Sequence, residues 1–100
     1  MYEKNDKRRL YWLIDEFLAQ RISAWDFGDE YYYCYDLGID KQTLTDSEQE
    51  SFREISTVSG RFSPFDEDHK KFPGVFYTEK DLRETIQQGK ENLGDVLAGH

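Results

Sequence analysis

The stretch Leu10-Tyr11-Trp12-Leu13-Ile14-Asp15-Glu16-Phe17-Leu18 decides the fold class of this chain. Its Leu, Ile and Phe residues stand at i, i+3, i+4, i+7 and i+8, which places them on one face of an α-helix. Asn5 or Asp6 offers a side chain that can cap the start of such a helix. The spacing predicts a first amphipathic helix over about residues 5–20.

Three further segments show helical periodicity, and each follows a capping signal in which a Ser or Thr precedes an acidic residue by three positions. They predict helices over about residues 24–35, from 45 to about 62, and from 78 onwards. The capping signals are Ser23 with Asp26, Thr45 with Glu48, and Thr78 with Asp81. The sequence therefore predicts an all-α protein with four amphipathic helices around one core.

Glycines and prolines mark the expected interruptions. Gly38 is expected to end the second helix in a left-handed C-cap. Gly89 either lets the last helix approach a neighbour closely or ends that helix early. The segment 63–77 contains both prolines and is predicted to be a long, ordered loop between helices three and four. We expect one domain over residues 1–100, with the tail from residue 94 fraying.

Charge and composition exclude several classes of protein. The 100 residues carry a formal net charge of −8, which argues against direct binding of nucleic acid or of an anionic membrane and favours a basic partner. The chain has no apolar run long enough to span a bilayer, and its start lacks the apolar core of a signal peptide. Together with the single cysteine, Cys34, this predicts a cytoplasmic protein.

The negative charge is unevenly distributed along the chain. Residues 1–28 are neutral overall, whereas residues 29–54 hold eight acidic and two basic side chains and therefore carry −6. A second cluster is Asp66-Glu67-Asp68 in the predicted loop. These acids either form a solvated face that aids solubility or replace phosphates in the basic cleft of a partner.

The run Tyr31-Tyr32-Tyr33-Cys34-Tyr35 lies on the second predicted helix, whose inward face we expect to be Ala24, Phe27, Tyr31, Cys34 and Tyr35. Successive helical positions differ by about 100°, so these rings cannot all face the core. At least one of Tyr32 and Tyr33 is expected to be exposed. An exposed Tyr beside acidic residues is typical of an interface anchor.

Residues that would carry chemistry are few. His69 and His100 have no companion at a metal-ligand spacing, and Asp66-Glu67-Asp68 lacks the glycine and glutamate of a calcium loop. Cys34 lies on a predicted buried face, where a core role is expected rather than a nucleophilic one. We predict a protein without catalytic residues, metal or cofactor.

Three parts of the sequence, in order, resemble the colicin D-type immunity protein family, which includes relatives from contact-dependent growth inhibition systems. The first is Leu13-Ile14-Asp15-Glu16-Phe17-Leu18-Ala19-Gln20-Arg21-Ile22-Ser23-Ala24-Trp25-Asp26-Phe27. The second is Arg61-Phe62-Ser63-Pro64 followed by Asp66 and Asp68, and the third is Leu82-Arg83 preceded by acidic residues. The resemblance covers about residues 10–93.

The resemblance implies an antiparallel four-helix bundle. It also implies an immunity protein that binds the C-terminal nuclease domain of a cognate toxin, typically a tRNA-cleaving ribonuclease, and covers its basic active-site cleft with acidic side chains. Carried over by position, the acids after Pro64 are the leading candidates for toxin contact. Arg61 is expected to orient the loop by pairing with a nearby acid. The full set of predicted toxin-binding residues is Asp66, Glu67, Asp68, Asp46, Glu48, Tyr32, Tyr33 and Glu30.

Two other functions are compatible with the same residues. The first is an acidic antitoxin or nucleic-acid mimic of another family, and the second is a helical adaptor domain whose acids serve solvation alone. The expected partner is a basic toxin domain, with neither nucleic acid nor membrane bound directly. The chain itself is expected to be a monomer or a weak homodimer through the Tyr-rich helix.

Overall fold

The computed structural model describes residues 2–94. In this part of the chain the protein is all-helical, with five α-helices, one short 3₁₀ turn at Lys41–Thr43 and no β-strand. The helices are α1 (Lys7–Leu18), α2 (Ala24–Tyr35), α3 (Asp46–Gly60), α4 (Asp66–Lys71) and α5 (Glu79–Leu93).

The predicted caps are present at the start of the four long helices. Asp6 accepts a hydrogen bond from the Arg8 amide, and Ser23 accepts one from the Asp26 amide. Thr45 with Glu48, and Thr78 with Asp81, each form a complete capping box. These side chains satisfy backbone N–H groups that have no partner within the helix, which fixes where each helix begins.

The inward faces of the long helices meet in one hydrophobic core. On α2 the buried residues are the predicted ones, and the rings of Phe17, Phe27, Tyr31 and Tyr35 form a column with centroid separations of 5.2, 5.3 and 5.6 Å. The Tyr31 hydroxyl donates a 2.7 Å hydrogen bond to the Phe52 carbonyl of α3. The column therefore joins α1, α2 and α3 without leaving the buried hydroxyl unpaired.

The prediction of a continuous loop over residues 63–77 is wrong, because this segment contains the short helix α4 in addition to the four long helices. Three acids occupy the first turn of α4, and its last turn holds His69, Lys70 and Lys71. Acids near the N-terminus and bases near the C-terminus both favour the helix dipole. This charge order supports even a six-residue helix.

Two expectations about glycines have different outcomes. The left-handed C-cap at Gly38 is wrong: positive-φ glycines among residues 2–94 are Gly74 and Gly94. A Cβ on Gly38 would lie 2.9 Å from the Lys4 carbonyl carbon, so this glycine instead admits the N-terminal segment. Gly89 is buried within α5, which continues to Leu93, and a Cβ there would lie 2.9 Å from Ile55 Cδ1. The close-approach alternative is therefore confirmed.

The predicted fraying tail from residue 94 lies almost entirely outside the described residues. Gly94 ends α5 with a φ of 76°. Val96, Leu97 and the rest of residues 95–100 lie outside the described residues.

Candidate functional site: the exposed acidic and aromatic surface

The exposed face of α2 carries large aromatic side chains. Trp25, Tyr32 and Tyr33 expose 56%, 50% and 53% of their surface. Tyr32 and Tyr33 contact each other edge to face, with ring centroids 6.0 Å apart. The expectation that at least one of these tyrosines is exposed is confirmed, because the core column already occupies the opposite side of the helix.

Two of these rings alternate with carboxylates along one line of α2. Trp25, Asp29, Tyr32 and Asp36 stand at i, i+4, i+7 and i+11, which superimposes them on one side of a helix. All four are exposed. We call these four residues the α2 stripe. Of these four, Tyr32 belongs to the predicted toxin-binding residues and Trp25, Asp29 and Asp36 do not, although their helical spacing was the signal that could have found them.

No basic residue lies within α2, so its acids are neutralised only from outside the helix. Glu30 is partly neutralised in this way, because the guanidinium of Arg9 on α1 lies 2.9 Å from its Oε2. Among residues 2–94, Asp29 and Asp36 form no ion pair within 4.0 Å. The α2 stripe thus keeps its negative charge, whereas the charge on Glu30 is partly compensated.

A groove of about 240 Å³ lies beside the N-terminal half of the stripe. Its lining residues come from α2 and from the end of α3: Ala24, Trp25, Gly28, Asp29, Ser59, Gly60 and Phe62. A Cβ atom added to Gly28 would have the Ser59 carbonyl oxygen as its nearest neighbour, at 3.9 Å. A Cβ atom added to Gly60 would have no neighbour within 4 Å. The groove is open because small residues line it where α2 and α3 are adjacent.

Backbone pairing, rather than the Arg61 side chain, holds the segment after α3. The Tyr77 amide donates to the Arg61 carbonyl at 2.7 Å, and the Ser63 amide donates to the Tyr77 carbonyl at 3.0 Å. Arg61 itself is exposed, and its guanidinium forms no ion pair within the described part of the chain. The expectation that Arg61 orients the loop through an acidic partner is therefore wrong.

The acidic triplet of α4 divides into two exposed residues and one anchored residue. Asp66 and Glu67 are exposed, whereas Asp68 Oδ2 accepts a 2.6 Å hydrogen bond from the buried Ser63 hydroxyl. His69 Nε2 lies 2.9 Å from the Ser63 carbonyl oxygen. Asp68 and His69 therefore attach α4 to the end of α3, which leaves Asp66 and Glu67 facing solvent.

Asp46 and Glu48, at the start of α3, have opposite environments. Asp46 is exposed, but Glu48 exposes only 5% of its surface and is fully engaged within the protein. Burial raises the pKa of Glu48, but hydrogen bonds from the Thr45 amide, the Tyr11 hydroxyl and the Lys7 ammonium outweigh this effect and hold that pKa below its ordinary value. The prediction of Glu48 as a toxin-binding residue is corrected, because this buried carboxylate caps α3 within the protein.

Cys34 is a core residue, as expected, with 1% of its surface exposed. Burial raises the pKa of its thiol, although Arg9 Nε donates to Cys34 Sγ at 3.1 Å and opposes this shift. A thiol with a raised pKa is a poor nucleophile at neutral pH.

Comparisons of the chain with protein-family models, curated proteins and solved structures gave no match. Within residues 2–94, no three His, Cys, Asp or Glu side chains are grouped so that they could hold a metal ion. In the same part of the chain, none of the helices is long and apolar enough to cross a bilayer.

Proposed function

We propose that this chain is a cytoplasmic immunity protein that binds and neutralises a cognate bacterial toxin nuclease domain, with a tRNA-cleaving ribonuclease as the leading candidate. One observation carries the proposal. The acids of residues 29–54 are all exposed except Glu48. The exposed Tyr32 and Tyr33 lie among these acids in the sequence, on a helix that holds no basic residue.

The chemistry of such a toxin makes this surface suitable. A nuclease must hold phosphates, so its active-site cleft is basic. Carboxylates on a protein surface can occupy that cleft in place of phosphates and accelerate association by electrostatic steering. Exposed tyrosines supply the buried contact area that holds the complex together.

The proposal includes an antiparallel four-helix bundle as the underlying architecture. It is supported by the packing order of the long helices: α1 contacts α2, α2 contacts α3, α3 contacts α5, and α5 contacts α1. Each long helix is thus placed between two others. This arrangement leaves α4 and the outer face of α2 outside the packing.

The proposed contacts are a subset of the residues predicted from sequence. Asp66 and Glu67 on α4, Asp46 at the start of α3, and Tyr32 and Tyr33 on α2 are exposed and available. Glu30 contributes less because it is paired with Arg9. Asp68 and Glu48 act within the protein, where they hold α4 and cap α3.

The test uses the basic C-terminal domain of the toxin encoded directly upstream of the gene. We expect a one-to-one complex, loss of the toxin's RNA cleavage at equimolar inhibitor, and association that slows steeply as salt rises. The double variant Asp66→Asn with Glu67→Gln should slow association by about tenfold at low salt. The matched control, Glu84→Gln with Glu91→Gln on α5, removes the same charge from another exposed surface and should have a smaller effect.

Full toxin activity in the presence of excess protein would refute the proposal and favour an adaptor domain or an antitoxin of another family. Equal effects of the two double variants would show that net charge, and not α4, governs association.

A further inference from the structure

The α2 stripe places two exposed rings next to two carboxylates that form no ion pair within residues 2–94. Trp25 and Asp29 are one helical turn apart, and Tyr32 and Asp36 repeat the same spacing. Residues at i and i+4 have Cβ atoms about 5–6 Å apart, so each ring lies beside one carboxylate. The core does not need either ring, because the inward face of α2 is complete without them.

Elsewhere in the protein, an aromatic ring and a carboxylate together bind one of the protein's own arginines. Arg9 lies over the Trp12 ring, with its guanidinium carbon 5.7 Å from the centroid, and pairs with Glu30 at 2.9 Å. Arg8 lies 4.8 Å from the Tyr2 centroid and pairs with Asp6 at 2.6 Å. A guanidinium satisfies a ring and a carboxylate together because it is planar and charged. On the α2 stripe the rings and carboxylates are present, and no cation of residues 2–94 pairs with those carboxylates.

We propose that the α2 stripe is the docking surface for an arginine-bearing segment of the basic partner, with one guanidinium stacked on Trp25 and paired with Asp29, and a second on Tyr32 and Asp36. This inference rests on the proposed function and deepens it by naming the chemistry that the partner presents. Charge complementarity selects this occupant, because a second copy of the chain would bring its own acidic stripe to the same surface.

The geometry also sets the spacing of the two arginines. Trp25 and Tyr32 are seven residues apart, which corresponds to about 10 Å along a helix. An arginine pair at i and i+7 of a partner helix matches this distance. The groove beside Trp25 can receive the aliphatic stem of the first arginine, since Gly28, Gly60 and Phe62 line it and its one charged lining residue is Asp29, the proposed partner of the guanidinium.

A defined peptide tests the surface without the toxin. The probe is an acetylated alanine-based peptide with two arginines seven positions apart, and its control carries citrulline at both positions. We expect the arginine peptide to shift the amide signals of residues 25, 29, 32 and 36 and the Trp25 indole signal in NMR spectra of the labelled protein. The citrulline peptide should leave them unchanged.

Variants locate the binding more sharply. Trp25→Ala and Asp29→Asn should each weaken peptide binding by about fivefold to tenfold. Leu37→Ala removes an equally exposed side chain beyond the stripe, and Glu91→Gln removes an exposed charge from α5; both should bind as the parent protein does. Circular dichroism of each variant confirms that the helices are retained.

Three results would overturn the inference: equal binding of the citrulline peptide, signal shifts centred on Asp66 and Glu67, or undiminished binding by both stripe variants. The toxin domain separates this inference from the proposed function. If Asp66→Asn with Glu67→Gln weakens toxin binding while Trp25→Ala and Asp29→Asn do not, the immunity function stands and the docking surface is wrong. If the peptide binds the stripe and the toxin does not bind, the surface stands and the immunity function is wrong.

Discussion

The hydroxyl of Tyr11 donates a 2.6 Å hydrogen bond to Oε2 of Glu48 and so joins the middle of α1 to the first turn of α3. The other carboxylate oxygen, Oε1, receives the Lys7 ammonium at 3.1 Å and the Thr45 amide at 2.9 Å. A residue that caps its own helix therefore also fixes the position of a second helix. Its ionised form is the one that all three donors favour.

Acid should destabilise the protein through Glu48. Its folded-state pKa lies below its unfolded value, so the stabilisation is fully present above about pH 4.5 and is lost as the pH falls through the folded pKa. Glu48→Gln should cost about 1–3 kcal/mol at pH 7 and progressively less below pH 4. Urea unfolding at a series of pH values measures both quantities.

Tyr11→Phe tests the same network from the other side. It removes one donor to the carboxylate, so we expect a shallower loss of stability with acid than in the parent protein, together with a cost of about 1 kcal/mol at pH 7. If the parent protein and the Glu48→Gln variant lose stability in parallel between pH 5 and pH 3, a group other than Glu48 dominates the loss of stability in acid.

Gly89 and Ile55 should be energetically coupled. Ala at position 89 gains up to about 1 kcal/mol of helix propensity but forces Ile55 Cδ1, 2.9 Å from the new Cβ, to move within a filled core. We expect Gly89→Ala to destabilise the parent protein by about 1 kcal/mol. In an Ile55→Val background, which lacks that Cδ1, the same change should stabilise by about 0.5 kcal/mol. Identical effects in both backgrounds, measured by chemical denaturation, would mean that α3 and α5 adjust freely.

Gln20→Gly should stabilise the end of α1. Gln20 has a φ of 63°, and the bonds from its amide to Phe17 and from the Arg21 amide to Glu16 form a Schellman motif. Glycine adopts this conformation without the Cβ penalty, so we expect a gain of about 0.5–1 kcal/mol and a rise in Tm of several degrees. Ala19→Gly is the matched control: its φ is −81°, and the same kind of change there should destabilise. A lower Tm for Gln20→Gly would contradict the strain at this position.

Ser63→Ala should loosen α4 in particular. It removes the hydroxyl that donates to Asp68 and accepts from the Phe65 amide. We expect faster amide hydrogen exchange over residues 65–72 and a global cost of about 1 kcal/mol. Thr57→Ala, which removes an exposed hydroxyl bonded only within α3, should change neither by more than about 0.5 kcal/mol. Unchanged exchange over α4 would show that backbone pairing alone holds this segment.

Local sequence signals predicted the long helices well. The caps at Ser23, Thr45 and Thr78 depend on side chains within three residues of each other, so pattern and structure agree closely there. Helix α4 was missed because the two prolines of that segment favour a loop, although its acids followed by bases favour a short helix. Its anchor is Ser63, which is buried and donates to Asp68 next to the bridge between Phe62 and Tyr77, two residues 15 positions apart in the sequence.

On the candidate surface, too, some features follow from local sequence and others depend on contacts between distant residues. The helical repeat already determined that Tyr32 and Tyr33 could not both join Tyr31 in the core. The environment of each acid depended on contacts far apart in sequence: Glu48 meets Tyr11 and Lys7, and Glu30 meets Arg9. Asp29 forms no ion pair with any of residues 2–94. All of these acids carry the same formal charge, so the sequence could not distinguish those that are available to a partner from those engaged within the protein.

The sequence by itself determined an acidic, all-helical chain, the start of each long helix and the inward face of α2, because these follow from composition and from interactions within a few residues. Only the tertiary structure decided which carboxylates are held by other helices and which face solvent, and where the groove beside Trp25 opens. Those properties arise when residues 20 or more positions apart come within hydrogen-bonding distance, as Glu30 does with Arg9. Chain packing, and not local preference, sets such distances.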